Sequence, residues 1–223
     1  MKQIPADRPE DVDAWYRDPL GAWMEQTEQD LLIEALGLRP GETVVDVNAG
    51  TGRLARSVAQ RTGGRVLAVE PSGSLRALGQ RRTEGLSVEW SEGIPEALPV
   101  GDGEADAVLL VTVLDFVHDP KGVLVEARRV LRPGGRLVVG SLCALSPWAA
   151  LYRHLGEQGV GPWVGAHLWT EDELARLLGI PDTEVRRCVY LAPSAQPPYP
   201  EADAAGERAG NKGAFIVARC STE

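Results

Sequence analysis

Between residues 44 and 140, short and continuously apolar runs alternate with stretches whose apolar residues recur every three or four positions. Val44–Val47, Arg65–Val69, Leu86–Trp90, Ala107–Val111 and Arg136–Gly140 read as strands, and 54–60, 75–82 and 122–131 as the helices between them. Strands apolar along their whole length are buried on both faces, so the pattern predicts an α/β fold in three layers, a mostly parallel sheet between two sets of helices. Upstream, Glu25 to Leu36 is helical in period and is stopped by Gly37 and the Arg39-Pro40-Gly41 turn. Downstream of Gly140 the alternation lapses. Residues 141–169 are rich in aromatic residues and histidine, and Thr170-Glu171-Asp172-Glu173 then opens a helix with a capping box. Val185–Leu191 and Ala214–Val217 read as late strands. Residues 193–213, dense in Pro and Gly, read as a long mobile loop between them.

The length of 223 residues, 43% of them hydrophobic, suits one core and one domain. Within it, residues 1–40 form a helical lid, 41–140 the core, 141–183 a cap and 184–223 the closing strands. A net charge of −9 with no basic block repels nucleic acid and favours small-molecule chemistry. Cys143, Cys188 and Cys220 are odd in number and lack metal-type spacing, which fits a reducing compartment and excludes a zinc framework. No apolar run is long enough to cross a membrane and the start lacks a signal peptide's apolar core, so a cytoplasmic protein is expected.

The chemistry begins where the first strand ends. Val44-Val45-Asp46-Val47-Asn48-Ala49-Gly50-Thr51-Gly52 runs from a buried strand into a turn of small residues and then into a helix. Such a turn brings backbone close to a ligand at the carboxyl edge of a parallel sheet. A dinucleotide loop would need a third small residue where Arg53 stands. With small or turn-tolerant residues at 48, 50 and 52 behind Asp46, the stretch resembles the D-x-G-x-G-x-G loop of class I S-adenosylmethionine-dependent methyltransferases. Asn48 replaces the first glycine of that loop, and Asn enters the left-handed region most readily among residues with a side chain.

Other segments carry the same resemblance. Glu70 ends the second strand 24 positions after Asp46, where a carboxylate accepts the ribose hydroxyls of an adenosine, with Pro71 at the adenine edge. Gly93-Ile94-Pro95-Glu96-Ala97-Leu98-Pro99 stands where the family has G-D-A-x-x-L-P. Ile94 in place of Asp leaves adenine to backbone groups and apolar packing. Asp106 to Pro120 and Arg129-Val130-Leu131-Arg132-Pro133-Gly134-Gly135 resemble the family's fourth strand and its L-x-P-G-G turn. Many relatives have His where this chain has Asp115-Phe116, so no catalytic role is borrowed from that spot. Asp13 to Gly21 resembles a leader of small bacterial methyltransferases, with Val12 in place of its first Tyr.

The resemblance implies a Rossmann-like sheet of seven strands, the last antiparallel. It also implies S-adenosylmethionine as cofactor, S-adenosylhomocysteine as product and a small-molecule acceptor. Cofactor contacts are expected at Asp46, Asn48, Ala49, Gly50, Gly52, Glu70, Pro71, Gly93, Ile94, Val111 and Thr112. Of six tryptophans only Trp90 lies in the core segment. The flanking aromatics Trp15, Tyr16, Trp148 and Trp163 are expected to enclose the acceptor, excluding water and facing the sulfonium. Tyr152, His154 and His167 are the candidate catalytic side chains of the cap, a neutral imidazole being able to take a proton near pH 7. Two alternatives stay open: a binding module that kept the fold without catalysis, and a cofactor-binding relative with other chemistry in its cap.

Overall fold

The computed structural model describes residues 13–179 and 184–221. Residues 1–12 of the expected lid, Val12 of the leader among them, and residues 180–183 at the end of the expected cap lie outside the described residues.

Helices α1 (Ala14–Arg17) and α2 (Pro19–Leu36) precede strand β1 (Thr43–Val47). Then follow α3 (Arg53–Thr62), β2 (Arg65–Val69), α4 (Gly73–Arg82), β3 (Val88–Ser91), β4 (Ala105–Val111), α5 (Pro120–Val130) and β5 (Leu131–Leu142). The chain continues with α6 (Pro147–Glu157), a 3-10 turn at Gly161–Trp163, α7 (Glu171–Leu178), β6 (Glu184–Cys188), α8 (Tyr199–Arg208) and β7 (Phe215–Ser221). The seven strands form one sheet in the order β3-β2-β1-β4-β5-β7-β6. β7 is antiparallel to both of its neighbours and the other pairings are parallel.

Strand periodicity divides the apolar residues between two cores. Val44, Val66, Leu109, Val138 and Val217 face α2 and α3, whereas Val45, Val69, Leu110, Val139 and Ile216 face α5 and α7. At the amino edge of the sheet the Arg136 guanidinium caps α2 by donating to the Leu36 carbonyl at 2.9 Å and forks onto Glu42. Two expectations change. β5 begins at Leu131 rather than Arg136, because Leu131 pairs with Ala105 and Arg136 with Ala107, leaving the Pro-Gly-Gly turn as a bulge within the strand. The region 193–213 is not an unstructured loop. It holds α8, whose Asp203 accepts the Tyr190 and Leu191 amides and whose Gly206 lies against the Tyr190 carbonyl, so its glycine permits packing. Cys143, Cys188 and Cys220 are all buried free thiols.

Candidate active site

The turn after β1 is built from three left-handed residues, Asn48 at φ 59°, Gly50 at φ 56° and Gly52 at φ 76°. Asn48 is exposed, and a Cβ on Gly50 would meet nothing within 4 Å, so the turn presents open backbone on its outer side. Gly52 is different. Its φ favours glycine and its missing Cβ makes room for the Trp90 ring, 2.8 Å from where that carbon would lie. The Ala49 amide donates to the Val69 carbonyl at 3.0 Å, which ties the turn to the end of β2.

Glu70 is the second tie. It is 2% exposed, and its carboxylate accepts the Gly50 amide on one oxygen and the Ser72 amide on the other, each at 2.8 Å. Both oxygens keep a further lone pair for a ligand hydroxyl. Asp46, buried beside it, has one oxygen without a partner among the described residues. Burial, then the Glu70 charge, pushes its carboxyl up to about 7. Pro71 is exposed, and its carbonyl and that of Glu70 take the Arg76 guanidinium. Gly93 has no room for a side chain between Pro99 and Val69, whereas Ile94 is half exposed above it. Thr112, at φ 54°, donates its amide to Gly140 at 2.7 Å and its hydroxyl to the Val111 carbonyl.

All eleven expected cofactor residues therefore lie in or beside the carboxyl ends of β1, β2, β3 and β4, which are neighbours in the sheet. Open backbone over Gly50 and a carboxylate already fixed by two amides fit an adenosine-containing cofactor.

The leader closes one side. Asp13, buried, accepts the Thr51 hydroxyl at 2.9 Å and pairs with Arg82, which also reaches the Thr51 carbonyl. Gly21 lets α1 cross α2, because a Cβ there would fall 2.1 Å from the Trp15 carbonyl oxygen. Arg53 forks onto Glu25 and lies 4.7 Å from the centroid of the Tyr16 ring. In the sequence Arg53 stands only as a bulky residue where a dinucleotide loop would need a small one. Its partner is 28 residues upstream, too far apart for any local pattern to show.

Three of the four aromatic residues expected around the acceptor, Trp15, Trp148 and Trp163, stand in one row with Tyr152, whereas Tyr16 lies against Arg53 instead. Trp15 meets Trp148 at 6.0 Å, Trp148 meets Tyr152 at 6.0 Å, and Tyr152 stacks on Trp163 at 4.2 Å with the rings 7° from parallel. Phe116 extends the row beyond Trp163 at 6.0 Å. Trp148 and Tyr152 are four residues apart on α6 and so share one face. Trp148 is buried and donates its indole N–H to the Leu191 carbonyl, which makes it the back wall of the row.

The histidines stand apart from this row. His154 is exposed on α6, two residues past Tyr152 and hence about 200° around the helix from it. His167 is also exposed, its ring against Trp169 at 4.2 Å, and only its amide turns inward, to the Asp115 carbonyl. A buried carboxyl, Asp115, precedes Phe116 in the chain, and its charge acts on Tyr152. One of its carboxylate oxygens accepts the Leu142 amide at 2.9 Å and the other has no partner among the described residues. Burial pushes this carboxyl up to about 7. Its position after β4, where many relatives have His, was the only sequence signal for it.

Residues 45–139 match the family model described as a methyltransferase domain. An uncharacterised protein of Mycobacterium tuberculosis is 33% identical over 188 residues, spanning 81% of this chain and 61% of its own length. The demethylmenaquinone methyltransferase of Renibacterium salmoninarum is 33% identical over 157 residues, 65% of each chain. The chain thus spans less than two thirds of the length of these curated relatives. Among solved structures, a possible histamine N-methyltransferase of Thermotoga maritima superposes with a TM-score of 0.76 at 25% identity, covering 96% of this chain and 95% of its own. With the strand order, the glycine turn and the Glu70 tie already in place, these likenesses set the chain among known folds: residues 45–139 are a methyltransferase domain, in the fold of the S-adenosylmethionine-dependent methyltransferases.

Proposed function

We propose that the protein transfers a methyl group from S-adenosylmethionine to an oxygen, nitrogen or sulfur nucleophile of a small molecule and releases S-adenosylhomocysteine. The observation that carries this reading is the Glu70 carboxylate fixed by the Gly50 and Ser72 amides beside an open left-handed turn. The demethylmenaquinone methyltransferase and the possible histamine N-methyltransferase among its relatives support small-molecule chemistry. The cofactor supplies an electrophilic methyl group on a sulfonium. Glu70 holds the ribose hydroxyls, Asn48 to Gly52 offer backbone to the rest of the cofactor, and Ile94, Val111 and Thr112 line its base and sulfur side. Trp15, Tyr16, Trp148 and Trp163 exclude water from the acceptor, with Tyr152 stacked among them. Holding the nucleophile in line supplies much of the rate without a dedicated base.

The whole chain is read as a single methyltransferase domain, its core at 41–140 presenting the donor and its lid and cap receiving the acceptor. A cytoplasmic location accords with three free thiols, and among the described residues no helix is long and apolar enough to cross a membrane. The charge of −9 argues against a nucleic-acid acceptor. Asn48 has kept the left-handed turn, which weighs against a binding module that has lost its cofactor. Calorimetry with S-adenosylmethionine and S-adenosylhomocysteine, followed by an acceptor screen that follows S-adenosylhomocysteine release, tests the reading. Absence of binding to both would overturn it.

A further inference from the structure

We propose that Asp13 is a positioning residue for the cofactor: by holding Thr51 it sets the glycine turn in its binding shape, and through the leader it couples that turn to Trp15 in the row of rings. The proposal rests on the methyltransferase reading above and adds to it a residue from outside the sheet.

Thr51 stands between Gly50 and Gly52, both left-handed, so it is flanked on either side by the residue with the greatest backbone freedom. Two bonds fix the turn on its β2 side, the Ala49 amide to the Val69 carbonyl at 3.0 Å and the Gly50 amide to Glu70 at 2.8 Å. Neither involves Thr51. That residue is held from the leader and from α4. Its hydroxyl donates to one Asp13 carboxylate oxygen at 2.9 Å, its carbonyl accepts from the Arg82 guanidinium at 3.3 Å, and Arg82 pairs with the other Asp13 oxygen. The three residues thus close a ring of contacts in which Asp13 is 2% and Thr51 4% exposed.

The same residue lies a short step from the acceptor side. Two positions past Asp13, Trp15 meets Trp148 edge-on at 6.0 Å, and its carbonyl oxygen rests against Gly21 of α2. The rest of the leader is fixed independently, since Glu25 on α2 takes the fork of Arg53 and Tyr16 lies over the same guanidinium. Loss of Asp13 therefore frees Thr51 and α1 without releasing α2.

A turn built on glycines gives up conformational freedom when a ligand settles on it, and every anchor already in place reduces that loss. Asp13 and Arg82 supply the anchor that the β2 side does not. Coupling of this kind is reciprocal: a cofactor that prefers the held turn also strengthens the grip of Asp13 on Thr51, and so steadies Trp15 against Trp148.

The test combines titration calorimetry with S-adenosylhomocysteine and hydrogen exchange of residues 13–22, both on the full chain well below its melting temperature. In the wild-type chain S-adenosylhomocysteine should slow exchange of the Asp18 and Ala22 amides, which donate to the Trp15 and Asp18 carbonyls. Asp13→Ala should weaken binding about tenfold, the worth of the charge-assisted bonds, and abolish that slowing. Thr51→Val removes the hydroxyl at nearly constant volume and should weaken binding about fivefold, whereas Thr51→Ser should stay within about twofold of the wild type. An Asp13→Ala chain that melts lower yet keeps its affinity and the slowing would make Asp13 merely structural and overturn the proposal. Equal affinity of Thr51→Val and Thr51→Ser overturns it too, and needs no variant at Asp13. So does leader exchange in the wild-type chain that is indifferent to S-adenosylhomocysteine. Failure of the wild-type chain to bind S-adenosylhomocysteine at all would instead overturn the methyltransferase reading beneath it.

Discussion

The Glu70 carboxylate accepts the Gly50 amide hydrogen at 2.8 Å, so one buried acid both closes the glycine turn and faces the ligand side of the sheet. Glu70→Ala should lower S-adenosylmethionine affinity by the worth of charge-assisted hydrogen bonds, about 1.5–3 kcal/mol, or roughly 10- to 150-fold. Titration calorimetry measures it, and unchanged affinity would remove Glu70 from the cofactor site.

Asn48 sits at φ 59°, which glycine adopts freely and a β-branched residue resists. Asn48→Gly should therefore keep or tighten cofactor binding, whereas Asn48→Val should strain the turn and weaken it at least tenfold. Weaker binding by the Gly variant would show instead that the Asn side chain touches the ligand.

Gly79 leaves no room for a methyl group, because a Cβ there would lie 2.2 Å from the Trp90 ring. Gly79→Ala should cost about 1–3 kcal/mol of stability by overpacking. Adding Trp90→Leu should recover part of that loss in a denaturant melt, although the Trp90 N–H to Thr83 hydrogen bond at 2.9 Å goes with the ring. A double variant no more stable than Gly79→Ala would refute the steric account.

Burial raises the carboxyls of Asp46 and Asp115 to about 7 and that of Glu28 to about 8. A carboxyl whose folded value lies above its unfolded one holds a proton in the folded state that the unfolded chain has released. Its contribution to stability falls as pH rises from the unfolded value near 4 to the folded value. The ligand-free protein should thus melt at a higher temperature at pH 6 than at pH 8. Asp115→Asn should flatten that slope; a slope of opposite sign would contradict the burial of these groups as ionisable acids.

In the cap, Tyr152→Phe and Trp163→Ala should leave S-adenosylmethionine binding within about twofold while lowering turnover on the acceptor. His154→Ala, an exposed change on the far side of α6, should alter neither. Product analysis by mass spectrometry separates the two groups, and a turnover loss in His154→Ala equal to that in Trp163→Ala would return the histidine to the site.

The core was legible because its signals are local. Strand β2 at Arg65–Val69 and the Thr170–Glu173 capping box follow from neighbouring residues and appear as expected. Three features escaped because nothing near them in sequence announces them. Helix α8 hides in a Pro- and Gly-rich stretch, where Gly206 is needed for contact with Tyr190 rather than for freedom. Arg53 finds Glu25, and Asp13 finds Arg82, only after the leader folds over the glycine turn. Trp15, Trp148, Tyr152 and Trp163 could be named in advance, but their order in one row, its extension to Phe116 and the exclusion of Tyr16 and His154 from it depend on how the leader folds back and on the angular placement of side chains around α6. That helix was not foreseen.

Trp90 fills the space over Gly52 and Gly79 together, so three positions scattered across 39 residues share a single volume. Lineages descending from this sequence are consequently not free to change any one of them alone. A side chain gained at 79 is admissible only alongside a smaller ring at 90, and position 52 has no such escape because its backbone also demands glycine. Natural variation at these sites should appear as a paired exchange between 79 and 90 around an unvarying 52, a historical imprint of one indole ring.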